Sequence, residues 1–309
     1  MSYEGQMLDD LRMPSKAEVE THLLDALLRH RGVLREFASG VEIVDELADE
    51  FDLSLEQRSA TLERVYRKEN RTVHSLLLHR LLFRAADSLA KSDLVSRPSS
   101  TLQLSGKREW MLTEKGLDEA LLLAGKQNLN KEDLGVRSFE VQKVVKKIVT
   151  TPRPLDYNPV ESSKKLVLKT SSSYFRSRGF RQAVIDAYDC KCAFCGFKLS
   201  SPDSLAWEVQ AAHIVPNTMQ GKDDVWNGLA LCGIHHWAFD VGWLTLNPKF
   251  VVQVSSRIDK LPKALGQIGS EDFIRRFTLK PTKMFLPLQE NLFPHENSLN
   301  WHRTHRFVR

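Results

Sequence analysis

Four cysteines in 309 residues are too few to staple a chain of this length into a disulfide scaffold. No run of 18 or more apolar residues occurs, which excludes a transmembrane helix. The first residues, Met1-Ser2-Tyr3-Glu4-Gly5, lack the basic-then-apolar order of a secretory signal. The expectation is therefore a cytoplasmic protein with no membrane partner and reduced thiols, for which metal ligation is the first role to consider. A strong charge of either sign is also missing, since 44 basic and 39 acidic residues leave only +5. What remains, 42% hydrophobic and 27% charged residues, is ordinary globular composition, and the length suggests two domains.

The mild total hides a split. Positions 1–130 hold 18 basic and 22 acidic residues, a net of −4, and positions 131–309 hold 26 and 17, a net of +9. The second part is the better candidate for contact with a polyanion. Within the first part, Val41–Asp52 carries six acids and no base, whereas Arg64–Asp93 carries seven bases against three acids. Either run alone fits a solvated helix face.

Lys16–His30 has apolar residues at helical spacing (Val19, Leu23, Leu24, Leu27, Leu28), with Ser15 placed to cap. Val41–Phe51 reads as a second amphipathic helix and Arg71–Ser92 as a longer third, striped by Val73, Leu77, Leu81, Ala85 and Leu89. Two strand-like runs, Leu94–Arg97 and Arg108–Leu112, flank a polar stretch, and Thr113 opens a closing helix. Three helices followed by a β-hairpin is the order of a winged helix, in which the third helix enters the major groove and the hairpin touches the backbone. Arg71, Arg80, Arg84 and Lys91 on that helix, with Lys107 and Arg108 in the hairpin, are then the DNA-contact candidates. Residues 14–124 resemble the winged-helix domain of Mrr-type restriction proteins, through Glu42-Ile43-Val44, Leu82-Phe83-Arg84-Ala85, Leu89-Ala90-Lys91 and Trp110-Met111-Leu112-Thr113-Glu114-Lys115-Gly116. The expected division is a tail over 1–13, a DNA-reading domain over 14–125, a linker with a helix over 126–172, and a second domain over 173–309. Pro152, Pro154 and Pro159 cannot continue a helix through the linker.

Chemistry gathers between Cys190 and Asp240. Cys192-Ala193-Phe194-Cys195 is a CxxC pair, and 37 residues later Cys232-Gly233-Ile234-His235 is a CxxH pair. Two such pairs can set four ligands tetrahedrally around one structural zinc. The alternatives are small buried thiols or a redox CxxC, and Cys190 could stand in for Cys192. A second set, His213, Asn227 and His236, is spaced by 14 and 9 residues. Asp240 lies four after His236 and shares its helix face, while His235 points about 100° away, so adjacent histidines can serve two sites.

The order strand, His213, loop, Asn227, helix, His236 resembles the HNH (ββα-metal) endonuclease family. The landmarks are Ala211-Ala212-His213-Ile214-Val215-Pro216, Asn227-Gly228-Leu229-Ala230-Leu231-Cys232, His235-His236 and Phe239-Asp240-Val241-Gly242. Arg178-Gly179-Phe180-Arg181 upstream and Leu299-Asn300-Trp301-His302-Arg303 downstream extend the resemblance to residues 173–309, with Arg178 and Arg181 as further DNA-contact candidates. The resemblance implies an α+β multidomain protein, a winged helix (three helices plus β-hairpin) followed by a ββα-metal nuclease domain with a structural zinc. It implies His213 as general base, Asn227 and His236 as its catalytic companions, and one catalytic divalent ion (magnesium, or manganese, cobalt or nickel) on His236 and Asp240. The partner would be double-stranded DNA, plain or modified, cut as a restriction enzyme cuts it and with a homodimer serving both strands. A non-catalytic winged-helix and zinc regulator, or a homing or mobile-element nuclease, are the alternatives. The chain departs from the family where many members carry a metal-binding acid or histidine before the base: Ala212 stands there, Gln210 stands three before the base, and Glu208 is the nearest acid.

Overall fold

The computed structural model describes residues 3–66, 71–161, 171–260 and 283–309. Arg67 and Lys68 of the basic run, residues 162–170 of the expected linker and 261–282 of the second domain lie outside the described residues. The chain divides into two compact units, Met1–Lys143 with Asp203–Leu205, and Val144–Pro202 with Ala206–Arg309.

Unit 1 opens with α1 (Tyr3–Asp10), so the expected tail is a helix. α2 (Lys16–Arg29) starts on a capping box made by Ser15 and Glu18. It buries Val19, Leu23, Leu24, Leu27 and Leu28, the whole stripe expected from the sequence. β1 (Val33–Arg35), α3 (Val41–Glu50) and α4 (Leu55–Ser59) follow. The expected third helix is then corrected at its start. Thr61–Tyr66 (β2) pairs antiparallel with Arg71–Leu76 (β3), and only Leu77–Lys91 is helical (α5). Alternation rich in β-branched residues suits a two-stranded ribbon better than a helix turn. Arg71 is therefore the first residue of a strand.

α5 buries Leu77, Leu81, Ala85 and Leu89 against α2. The hairpin expected after it is also corrected. β4 (Val95–Ser96) and β5 (Glu109–Leu112) do pair, but α6 (Pro98–Ser105) joins them in place of a loop, and β1 adds a third strand in the order β1-β5-β4. Pro98 begins α6 and Gly106, with φ +74°, ends it. Lys107 and Arg108 thus sit in the turn entering β5. α7 (Glu114–Leu123), capped by Thr113, closes the core against α2.

Within the stretch expected to be a linker with a helix over 126–172, α8 (Phe139–Thr150) is a helix that spans the division between the units, and unit 2 begins at Val144. α9 (Ser171–Ala187) lies on a ribbon of β6 (Gln210–His213) and β7 (Gly228–Leu231), paired from Gln210↔Leu231 to His213↔Gly228. Gly228 admits this packing, because a Cβ there would stand 2.4 Å from the Val184 side chain. α10 (Gly233–Asp240) follows β7 after a single residue, completing a ββα unit. β8 (Leu244–Leu246) pairs with β9 (Val252–Val254). α11 (Glu296–His305) packs on β8, and its His302 ring stacks on Phe239 of α10 at 3.6 Å.

Candidate active site and metal cluster

Cys192, Cys195, Cys232 and His235 each offer one ligand atom, and all four atoms lie within 4.8 Å of one another. The Cys192 Sγ–His235 Nδ1, Cys195 Sγ–Cys232 Sγ and Cys232 Sγ–His235 Nδ1 distances are 3.6, 4.0 and 3.0 Å. Ligand arms of about 2.0–2.3 Å in a tetrahedron give edges of this order, so the donor set fits zinc. Cys232 is the N-cap of α10, and His235 comes from that helix's first turn. Hydrogen bonds from Cys195 and Cys232 draw the Cys192 thiol far below its ordinary value, towards the thiolate that a metal needs. Burial opposes charge on His235, but Cys192 and Cys195 outweigh it and hold it up at about 9. Cys190 is not among the four.

His213 ends β6. Its ring stacks on Phe180 of α9 at 4.1 Å, and its Nε2–H donates to Asp223 Oδ1 at 2.9 Å. Asp223 Oδ2 in turn receives Arg176 Nε at 3.3 Å. Nε2 being committed to a carboxylate leaves Nδ1 as the acceptor nitrogen. Sequence reasoning missed both Asp223 and Arg176. The loop Gly221-Lys222-Asp223-Asp224 offers two adjacent acids, and spacing cannot tell which one turns inward; Asp224 instead accepts from the Tyr157 hydroxyl at 3.1 Å.

Asn227 is fully buried. Its Oδ1 accepts from Val215 N, and its Nδ2 donates to the carbonyls of Val215 and Lys222. These bonds go to the loop that carries Asp223, so Asn227 holds that loop. Gly221 permits the closure, because a Cβ there would come within 1.8 Å of Val215 O.

His236 donates from Nδ1 to Gln210 Oε1 at 2.7 Å, which turns its Nε2 lone pair towards Asp240 Oδ2 at 3.4 Å. Burial pushes the His236 pKa down against the pull of Asp240, with Arg181 helping, which favours the neutral ring. Burial likewise raises the Asp240 carboxyl, with His236, Arg306 and His213 opposing. A neutral imidazole lone pair facing a carboxylate oxygen is a pair of acceptors that suits a divalent cation. His213 lies within electrostatic range of both. Glu208 does not join them; its Oε1 accepts from Gly233 N at 2.8 Å and caps α10.

The DNA-contact candidates scatter. Arg178 is buried, with Nη1 on the Tyr174 hydroxyl, and is corrected as a surface contact, whereas Arg181 is half-buried near His236. Arg80 bonds Glu4 of α1 through Nε and Nη2 and is only 16% exposed, which argues against a groove contact. Arg84 also meets Glu4, Lys91 meets Asp87, and Arg108 meets Glu36, all three remaining exposed, as is Lys107.

Residues 192–247 match the family model described as HNH endonuclease, a span that holds the Cys/His cluster, the β6–β7 ribbon and α10. Among solved structures, the Modification dependent TagI restriction endonuclease aligns with 19% identity and a TM-score of 0.29, over 40% of this chain and 36% of that chain. The present chain thus spans about a third of that protein's length. No curated protein matches. An HNH endonuclease domain stands at residues 192–247.

Proposed function

We propose that the chain is a divalent-metal-dependent DNA endonuclease of restriction type, in which unit 2 hydrolyses the phosphodiester bond and unit 1 selects where. The observation that carries this reading is the convergence of an Asp223-oriented His213 with the His236–Asp240 acceptor pair on one ββα frame. His213 Nδ1 takes the proton of the attacking water, and Asp223 fixes the ring's tautomer and steadies the imidazolium that forms. Phe180 holds the ring plane. Asn227 is a positioning residue that keeps the 215–222 loop, and with it Asp223, in register. Arg181 brings positive charge to the side where a phosphate would enter.

His236 and Asp240 would hold one catalytic divalent ion, which when bound supplies Lewis-acid relief for the phosphate and the leaving oxygen. Magnesium needs few protein ligands, while manganese, cobalt or nickel suits the imidazole better. Cys192, Cys195, Cys232 and His235 would hold a structural zinc that fixes the start of α10.

A site that grips phosphate carries little base information, so a separate reader is needed. We assign that role to unit 1 as a winged-helix variant, with α5 and the turn before β5 facing DNA, plain or modified. Two chains acting together would cut both strands. Supercoiled plasmid, prepared with and without modified bases, tests the reading. Nicking with magnesium or manganese that is lost with EDTA and in a folded His213→Ala chain is expected. No nicking on any of these substrates with any divalent ion would overturn it.

A further inference from the structure

Unit 1 contains a cavity of about 660 Å³ walled by α5, the start of α6 and β5. That volume lies within the roughly 300–1,000 Å³ typical of small-ligand pockets. Five cations line it, Lys16, Arg84, Lys91, Arg97 and Arg108, against the carboxylates of Glu36 and Asp87, an excess of three positive charges. The two carboxylates fix the guanidinium groups in direction. Asp87 Oδ1 accepts from Arg97 Nε and Nη2 at 3.0 and 2.8 Å, and Glu36 Oε2 accepts from Arg108 Nε at 2.6 Å. A guanidinium so held still has N–H donors to offer, pre-aimed for a phosphate. Pro98 and Ser99 at the positive end of α6 share the wall, and the N-cap residue Arg97 makes no side-chain cap there.

A phosphate alone does not account for the aromatic side. Phe83 lines the cavity with 41% of its surface exposed, although it is wedged edge-on against Phe37 at 5.5 Å and Trp110 at 6.1 Å. Trp110 is 3% exposed, so Phe83 is the aromatic surface that the cavity presents. An anion beside a planar face describes one ligand class.

We propose that this cavity binds a nucleotide, its phosphate on Arg97 and Arg108 and its base against Phe83. The nucleotide is either free or turned out of a DNA strand, since a base inside a duplex cannot present its face. The inference is independent of the cutting assigned to unit 2, and a chain unable to cut should bind as well.

The test uses the full chain carrying His213→Ala, which separates failure of this proposal from failure of the nuclease reading. Deoxynucleoside 5′-monophosphates and inorganic phosphate are titrated by calorimetry, and a duplex containing 2-aminopurine is followed by fluorescence. At least one monophosphate should bind tenfold or more tighter than inorganic phosphate. Phe83→Ala and the surface variant Arg108→Gln should each weaken that binding tenfold or more with melting temperatures kept. A 2-aminopurine signal that reports unstacking, and loses it in Phe83→Ala, assigns the pocket to DNA-borne nucleotides. Monophosphate binding without that signal assigns it to free ones. Nucleotides that bind no tighter than inorganic phosphate, or binding that both variants retain, would overturn the proposal.

Discussion

His213 reaches Asp223 through Nε2, and the ring's other nitrogen is thereby left to accept a proton. Replacing the carboxylate with an amide keeps the size but lets the amide's N–H₂ or oxygen face the ring, so the tautomer is no longer dictated. Asp223→Asn should slow plasmid nicking about 100-fold, within the range expected for general-base catalysis. The melting temperature should move by no more than about 2 °C, and the pH–rate profile should change shape; an unaltered rate would remove Asp223 from the mechanism. Gln210 occupies a place where an acid would add charge behind His236, whose Nδ1–H it accepts. Gln210→Glu should lower the magnesium concentration for half-maximal nicking about tenfold, by making the imidazole more basic towards a cation. A metal titration of both chains checks this, and an unchanged requirement would show that the Gln210–His236 bond does not tune the ion.

At the scale of elements, α10 begins on Cys232 and carries His235 into one cluster and His236 into another site within its first turn. Cys195→Ser should release about one zinc per chain and lower the melting temperature of unit 2, since structural zinc contributes folding free energy directly. Metal analysis with thermal melts reads both, and a full zinc content in the variant would exclude the cluster as its site. The CxxC and CxxH spacings were legible without coordinates because consecutive-turn and helix-start ligands have fixed separations. The amphipathic α2 was legible because its stripe is long and regular. Arg71–Leu76 misled because Val73 and Leu77 happen to stand four apart, which mimics helical spacing while the strand pairs with Thr61–Tyr66. α6 is hidden in the polar stretch because Pro98 and three serines mask a helix whose buried Thr101 bonds the backbone of Glu109 on β5. Asp223 was illegible for a different reason. Its position depends on Asn227 folding the loop back, a contact between residues whose spacing carries no period.

Across the molecule, pH acts on stability through buried histidine. His302 is 1% exposed, donates from Nε2 to Phe239 O and accepts at Nδ1 from Thr245, and burial pushes its pKa down to about 4. The unfolded chain takes up this proton from about pH 6.5 downward while the folded chain refuses it until about pH 4. The contribution is therefore complete above about pH 6.5 and is lost as pH falls, reaching about 3 kcal/mol below pH 4 by linkage. Urea unfolding at pH 7, 5.5 and 4.5 should show a shallower pH slope in His302→Gln than in the unaltered chain; equal slopes would discount the histidine. For unit 1, Arg108→Ala should weaken DNA binding across sequences and reduce the salt slope by about one phosphate contact, measured by anisotropy over a salt series. An unchanged slope would mean that the turn before β5 does not face DNA.

The His235–His236 doublet has a consequence for how safely such a protein can be made. On the proposed function, a newly made chain would be unable to cut until α10 is anchored at Cys232 and His235, because that anchoring would aim His236. Competence to break DNA would then arrive with the last ligand of the cluster rather than with the first contacts of folding. A half-folded or metal-starved copy would be harmless to the genome beside it, by the same helix turn that arms the finished one.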